Sequence, residues 1–60
     1  MKIKELREAK NYNQSDLASE LGVDRSAVAK WETGEAVPRT EKLPKLAKVL
    51  GCSIDELFEE

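Results

Sequence analysis

Asn13-Gln14-Ser15-Asp16-Leu17-Ala18-Ser19-Glu20-Leu21-Gly22-Val23-Asp24-Arg25-Ser26-Ala27-Val28-Ala29-Lys30-Trp31-Glu32-Thr33-Gly34 is the stretch whose reading decides the fold. Two helix starts are written into it. In each, a capping residue has an apolar residue just before it and another at the fourth helical position: Tyr12 and Leu17 bracket Asn13, and Val23 and Val28 bracket Asp24. A cap of this type accepts from the free N–H groups of the first turn, while the flanking apolar pair fixes how the chain enters the helix. Only Leu21-Gly22-Val23 joins the two helices, around one glycine able to take φ > 0. Two short helices linked this tightly must cross steeply.

Working outward, the same staple recurs where Cys52 and Leu57 bracket Ser53, and Glu56 three residues on closes a capping box. This marks a last helix. A first helix runs from about Ile3 to Lys10 with Ile3, Leu6 and Ala9 on one face, and Asn11 follows where a left-handed cap suits Asn. The remaining helix begins at the cap Thr40; its Leu43, Leu46, Ala47 and Leu50 follow the i, i+3, i+4, i+7 rule until Gly51 stops it. Pro44 falls in its first turn, where a missing N–H costs least. No internal repeat, low-complexity stretch or linker interrupts this order. The expectation is an all-α, compact five-helix domain occupying residues 1–60, with a helix-turn-helix over about residues 14–32.

Composition narrows the function classes. Sixty residues hold one small core, and 40% hydrophobic with 37% charged residues is too apolar for a disordered tail. One cysteine and no histidine leave no internal disulfide, no cysteine zinc cluster and no common general base. Neither a phosphate-binding loop nor an activated nucleophile is present, so no enzyme, metal or cofactor is expected. Cys52 reads as a small buried hydrophobe. No apolar run approaches a membrane span, and the charged start Met1-Lys2-Ile3-Lys4-Glu5 lacks the apolar centre of a signal peptide. A soluble, cytoplasmic chain in a reducing compartment is expected.

The formal charge of −2 argues against a nucleic-acid partner until its distribution is read. Residues 1–50 carry all ten Lys and Arg against eight acids, whereas Asp55, Glu56, Glu59 and Glu60 place four negative charges on the last ten residues. An acidic tail hides a basic body. In the third helix, about residues 25–32, the side chains of Arg25, Ser26, Ala29, Lys30 and Thr33 fall within an arc of about 140°. Ala27, Val28 and Trp31 point elsewhere. Such a small, polar and basic face can approach base edges: Arg25 forks onto a guanine, Ser26 bonds either base type, Ala29 touches a thymine methyl and Lys30 reaches a guanine or a phosphate. Any surface helix also has a solvated polar face, so the face alone does not decide. Trp31 and Tyr12 are the aromatics a single-strand binder would stack on bases, but their spacing assigns them to packing.

Taken together, Asn13-Gln14-Ser15-Asp16-Leu17-Ala18, Leu21-Gly22-Val23, Val28 and Lys30-Trp31-Glu32-Thr33-Gly34 resemble the Xre family, the Cro- and phage-repressor-like helix-turn-helix domains. The similarity takes in Arg7, Leu43-Pro44-Lys45-Leu46-Ala47 and Leu50-Gly51-Cys52-Ser53-Ile54-Asp55-Glu56-Leu57 as well. It implies a lambda-repressor-like DNA-binding fold and a sequence-specific double-stranded DNA-binding transcriptional regulator, a repressor of prokaryotic or phage type acting at the nucleoid, whose third helix enters the major groove. Gln14 matches a residue that anchors on the DNA backbone, and a helix start favours a phosphate there. Thr33, Arg39 and Lys42 are the further candidate phosphate contacts. Arg7 and Glu32 match positions that pair as ions.

One short helix reads only about four or five base pairs, so two copies on a pseudo-palindromic operator are expected. Related repressors often dimerise through their C-terminal end, where Ile54, Leu57 and Phe58 are the candidate dimer contacts; the alternative is that Leu57 closes the core and Phe58 lies on its edge. The chain departs from the family at Glu35 and Ala36, in a loop that is commonly basic. A carboxylate facing phosphates weakens binding, and it raises the alternative of a helix-turn-helix protein-interaction module: an antirepressor, an antitoxin or a dimerisation domain.

Overall fold

The computed structural model describes residues 1–58; Glu59 and Glu60, the end of the expected acidic tail, lie outside the described residues. Helices α1 (Ile3–Ala9), α2 (Gln14–Leu21), α3 (Arg25–Thr33), α4 (Leu43–Leu50) and α5 (Ile54–Phe58) follow one another, with a 3-10 turn at Thr40–Lys42 before α4. Among the described residues there is no strand. None of the helices is long and apolar enough to cross a membrane.

Short helices need defined ends, and four of these share one ending. Asn11, Gly22, Gly34 and Gly51 all have positive φ, and each terminates a helix with two backbone bonds of the Schellman type. At the α2 end, Gly22 N–H donates to Ser19 O at 3.3 Å and Val23 N–H to Ala18 O at 3.0 Å; at the α4 end, Gly51 and Cys52 repeat this on Lys48 and Ala47. Gly22 therefore reverses the chain in a three-residue turn between α2 and α3. The starts are less uniform. Asn13 forms a full capping box, its Oδ1 accepting from Asp16 N–H at 2.8 Å and its own N–H donating to Asp16 Oδ2 at 3.0 Å. Ser53 and Glu56 build the second box. Asp24 occupies the cap position of α3, but its side chain accepts nothing; its carbonyl takes Ala27 N–H instead.

Two expectations are corrected. Thr40 does not cap α4: Pro44 has no N–H to give Thr40 O at the helical spacing, so Leu43 N–H reaches that carbonyl one residue early and the entry tightens into a 3-10 turn. Ala9 does not share the buried face of α1. At about 100° per residue it lies some 120° from Ile3, whereas Arg7 lies only about 40° away, and it is Arg7 that the fold buries.

The core is Ile3, Leu17, Ala18, Leu21, Val28, Leu46, Ala47, Leu50 and Leu57, with Leu6, Val23, Trp31, Leu43, Val49 and Cys52 packed around it. Every helix contributes to it, and each large side chain is worth about 1.5–3 kcal/mol for leaving water. Trp31 and Tyr12 are half-buried, in accord with packing roles. Leu57 corrects another expectation. It is fully buried and closes the core, while Lys2 N–H donates to its carbonyl at 2.8 Å, so it offers no surface to a second copy. Ile54 and Phe58 beside it are 39% and 53% exposed.

Candidate nucleic-acid interface

Helix α3 is held at its back by Val28, which is fully buried, and at its flanks by half-buried Ala27 and Trp31. Its other side carries Arg25, Ser26, Lys30 and Thr33, all exposed, with Ala29 partly covered between them. Helix α2 packs against α3 more extensively than any other pair of elements. The outcome is a short helix whose polar row stands out from a brace.

Behind this row runs a chain of bonds joining three helices. Arg7 of α1 donates through Nε to Glu32 Oε2 at 2.6 Å and through Nη2 to Glu32 Oε1 at 3.2 Å, a two-point pair near the end of α3. The two side chains are only 9% and 5% exposed. Arg7 Nη1 also donates to Tyr12 O at 2.7 Å, which ties the α1–α2 connection to the same guanidinium. Gln14, the first residue of α2, donates through Nε2 to Glu32 Oε1 at 3.0 Å. Its Oε1 in turn accepts from Arg25 Nη1 at 3.0 Å. The four residues thus run in one line, Arg7, Glu32, Gln14, Arg25, from the interior to the exposed start of α3.

Burial by itself pushes the Glu32 carboxyl up, but the bonds from Arg7 and Gln14 and the charges of Arg7 and Lys4 outweigh it and hold the group below the usual carboxylate range. The Arg7 guanidinium is shifted up, chiefly by its bond to Glu32. For Glu32 the folded pKa is lower than the unfolded one, so the unfolded chain binds more protons as pH falls. Its contribution is complete above about pH 4.3 and is lost as pH drops through the folded value. Thermal melts between neutral and strongly acidic pH are expected to show Glu32→Gln well below the unsubstituted chain at neutrality, with the gap closing in acid. Parallel curves would show that Glu32 does not supply this dependence.

The remaining candidates are dispersed. Thr33 Oγ1 donates to Lys30 O at 3.2 Å within its own helix. Arg39 is exposed, and Lys42 sends Nζ to Leu21 O at 3.3 Å, where a cation suits the negative end of α2. Both line a cleft of about 240 Å³ with Val23, Ala27, Trp31 and Val37 on the flank of α3. Glu35 is exposed just past Gly34, its N–H bonded to Lys30 O at 2.9 Å. Cys52 is half-buried, and burial first, then Glu56, pushes its thiol up, away from the reactive thiolate.

Periodicity gave no sign of the bond between Gln14 and Glu32, because it links residues eighteen apart on different helices. The Asn13-x-x-Asp16 spacing did signal the first capping box.

Two short helices joined through a left-handed glycine, the second with a polar row free of the core, define a helix-turn-helix domain. The comparison with known proteins agrees: the family described as Helix-turn-helix matches residues 3–57, and the chain belongs to this family, in its Xre type. It is a family of DNA-binding transcription regulators rather than of enzymes. Among its relatives are the HTH-type transcriptional activator BcrR of Enterococcus faecalis, 43% identical over 95% of this chain and 28% of that protein. The cryptic phage CTXphi transcriptional repressor RstR of Vibrio cholerae is 44% identical over 95% of this chain and 54% of that one. An HTH-type transcriptional regulator of Methanocaldococcus jannaschii is 37% identical over 95% of this chain and 86% of its own length. The chain thus spans about half or less of the first two.

Proposed function

We propose that residues 1–60 act as a single DNA-binding domain of a transcriptional regulator, a repressor, that reads the major groove of double-stranded DNA with α3. The observation that carries this reading is the exposed row Arg25, Ser26, Lys30 and Thr33 on a helix whose back is pinned by Val28 and whose start is held by Gln14. Arg25, Ser26, Ala29 and Lys30 meet bases. Gln14, through the amide hydrogen that Glu32 does not take, meets a phosphate, as do Thr33, Arg39 and Lys42. Relatives named as phage repressors support the regulatory role. Two copies bind a pseudo-palindromic operator, with exposed Ile54 and Phe58 as the apolar surface between them. The domain works in the cytoplasm, at the nucleoid, without a cofactor or a catalytic step.

Selection of bound duplexes from a random pool, followed by titration of the selected duplex with salt, tests this. A defined half-site and a log affinity falling linearly with log salt are expected. A second reading, a protein-interaction module, draws on exposed Glu35 and on Val37, which is 70% exposed. Binding to a protein would lack the steep salt slope.

Glu35 provides a finer check. Glu35→Lys is expected to tighten binding to all duplexes alike and to steepen the salt slope by about one unit without altering base preference. A lysine at exposed Glu20, on the outer face of α2, is the control. Equal effects at both positions would remove the loop after α3 from the interface.

A further inference from the structure

Lys42 reaches back to the end of α2, and the carbonyl it meets there is one that the turn leaves open. The left-handed turn at Gly22 takes up the carbonyls of Ser19 and Ala18, two of the last four in the helix. That of Leu21, the last, accepts instead from Lys42 Nζ at 3.3 Å. Helix α2 has no basic residue in its own last turn, where Glu20 adds a negative charge to the negative end of the helix. The missing cation is supplied from 21 residues further on, by the 3-10 turn that leads into α4. Half-buried, the Lys42 stem also lines the cleft beside Val23 and, on α3, Ala27 and Trp31.

We propose that Lys42 is a positioning residue for α3: its ammonium, seated on the end of α2, ties the turn between the two helices to the entry of α4 and fixes the angle at which α3 is presented. This rests on α3 reading DNA. It gives Lys42 a task before any phosphate arrives, and two of its three N–H groups stay free for one. The start of α3 is where such a tie matters. Val28 is the one core residue of α3, Arg7 holds its last turn through Glu32, and the bond of Arg25 to Gln14 at its start lies at the surface. With nine residues α3 is about 13 Å long, so a tilt of about 5° about one end moves the other by about 1 Å. A shift of that size spoils the fit of side chains to base edges.

The test compares Lys42→Met, which keeps the stem and removes the donors, with Lys42→Arg, which keeps a donor, in the intact chain. Amide exchange of the free chain is read first. In Lys42→Met, Gly22 and Val23 are expected to exchange roughly three- to fivefold faster relative to Gly51 and Cys52, which form the same kind of turn at the end of α4. Lys42→Arg should keep most of the protection. On DNA at constant salt, Lys42→Met is expected to narrow the preference for the selected duplex over its single-base variants roughly threefold, beyond the loss shared by all of them. Unaltered exchange with equal weakening on every duplex would overturn the proposal and leave Lys42 a phosphate contact. Faster exchange with unaltered preference would overturn it as well, leaving Lys42 a stabilising cap. No base preference in the unsubstituted chain would overturn the DNA reading itself. Nitrogen NMR of the unsubstituted chain covers the case of a variant that does not fold. The Lys42 ammonium is expected to exchange its hydrogens more slowly than those of exposed Lys45 and Lys48, and equal rates would overturn the tie.

Discussion

Arg7→Met is expected to cost about 3–5 kcal/mol, the largest loss of any single change on this surface, because it leaves Glu32 buried without its partner. A domain of this size has a total stability of only several kcal/mol, at about 0.05–0.15 kcal/mol per residue, so the variant should be largely unfolded at physiological temperature. The loss spreads, since Tyr12 O is left without its donor and Gln14 remains bonded to an unpaired carboxylate. Adding Glu32→Leu should restore part of the stability by removing the stranded charge, and the recovery is partial because Gln14 Nε2 then has no acceptor. Chemical denaturation of the two single variants and the double variant decides the matter. Strict additivity would show that the pair is not coupled.

Arg25→Ala acts on recognition and leaves the fold alone. Arg25 is exposed and, among the described residues, its side chain bonds only to Gln14, so the melting temperature should move little. Affinity for the selected duplex should fall by about 1–3 kcal/mol, with preference relaxed at one base pair in each half-site. Binding to scrambled DNA should fall far less. An equal loss on both duplexes would make Arg25 a backbone contact.

The contrast between these two arginines shows what the sequence exposes to reading and what it conceals. Helix boundaries were legible because they are decided locally: Asn13 and Ser53 cap within three residues of themselves, and Asn11, Gly22 and Gly51 stop helices through their own φ. The polar row of α3 was legible for the same reason, as a matter of angle around one axis. What escaped were the results of one element meeting another. The tight entry to α4 reflects a missing donor at Pro44 against Thr40, and Ala9 lost its place inside to Arg7, whose charge finds its partner only on α3. Lys42 ends on the carbonyl of Leu21, a contact no spacing along the chain announces. Leu57 was left between closing the core and meeting a second copy, because an apolar residue near a terminus reads alike in both roles; the bond from Lys2 to its carbonyl is a matter of tertiary geometry.

Helix α3 gives the interior a single fully buried side chain, Val28. The apolar part of the core therefore comes mainly from α2 and α4, each with three buried residues, while α3 is fixed by Val28 and by the pairing of Glu32 with Arg7. Because Arg25, Ser26, Lys30 and Thr33 are exposed, they can be rewritten one at a time while the scaffold melts at nearly the same temperature. A lineage of such domains is thus free to drift from one target to another by point substitution, without passing through unfolded ancestors. Gln14 and Glu32 narrow that freedom at its first position, for a replacement at Arg25 must be able to donate to a glutamine oxygen or leave it to water.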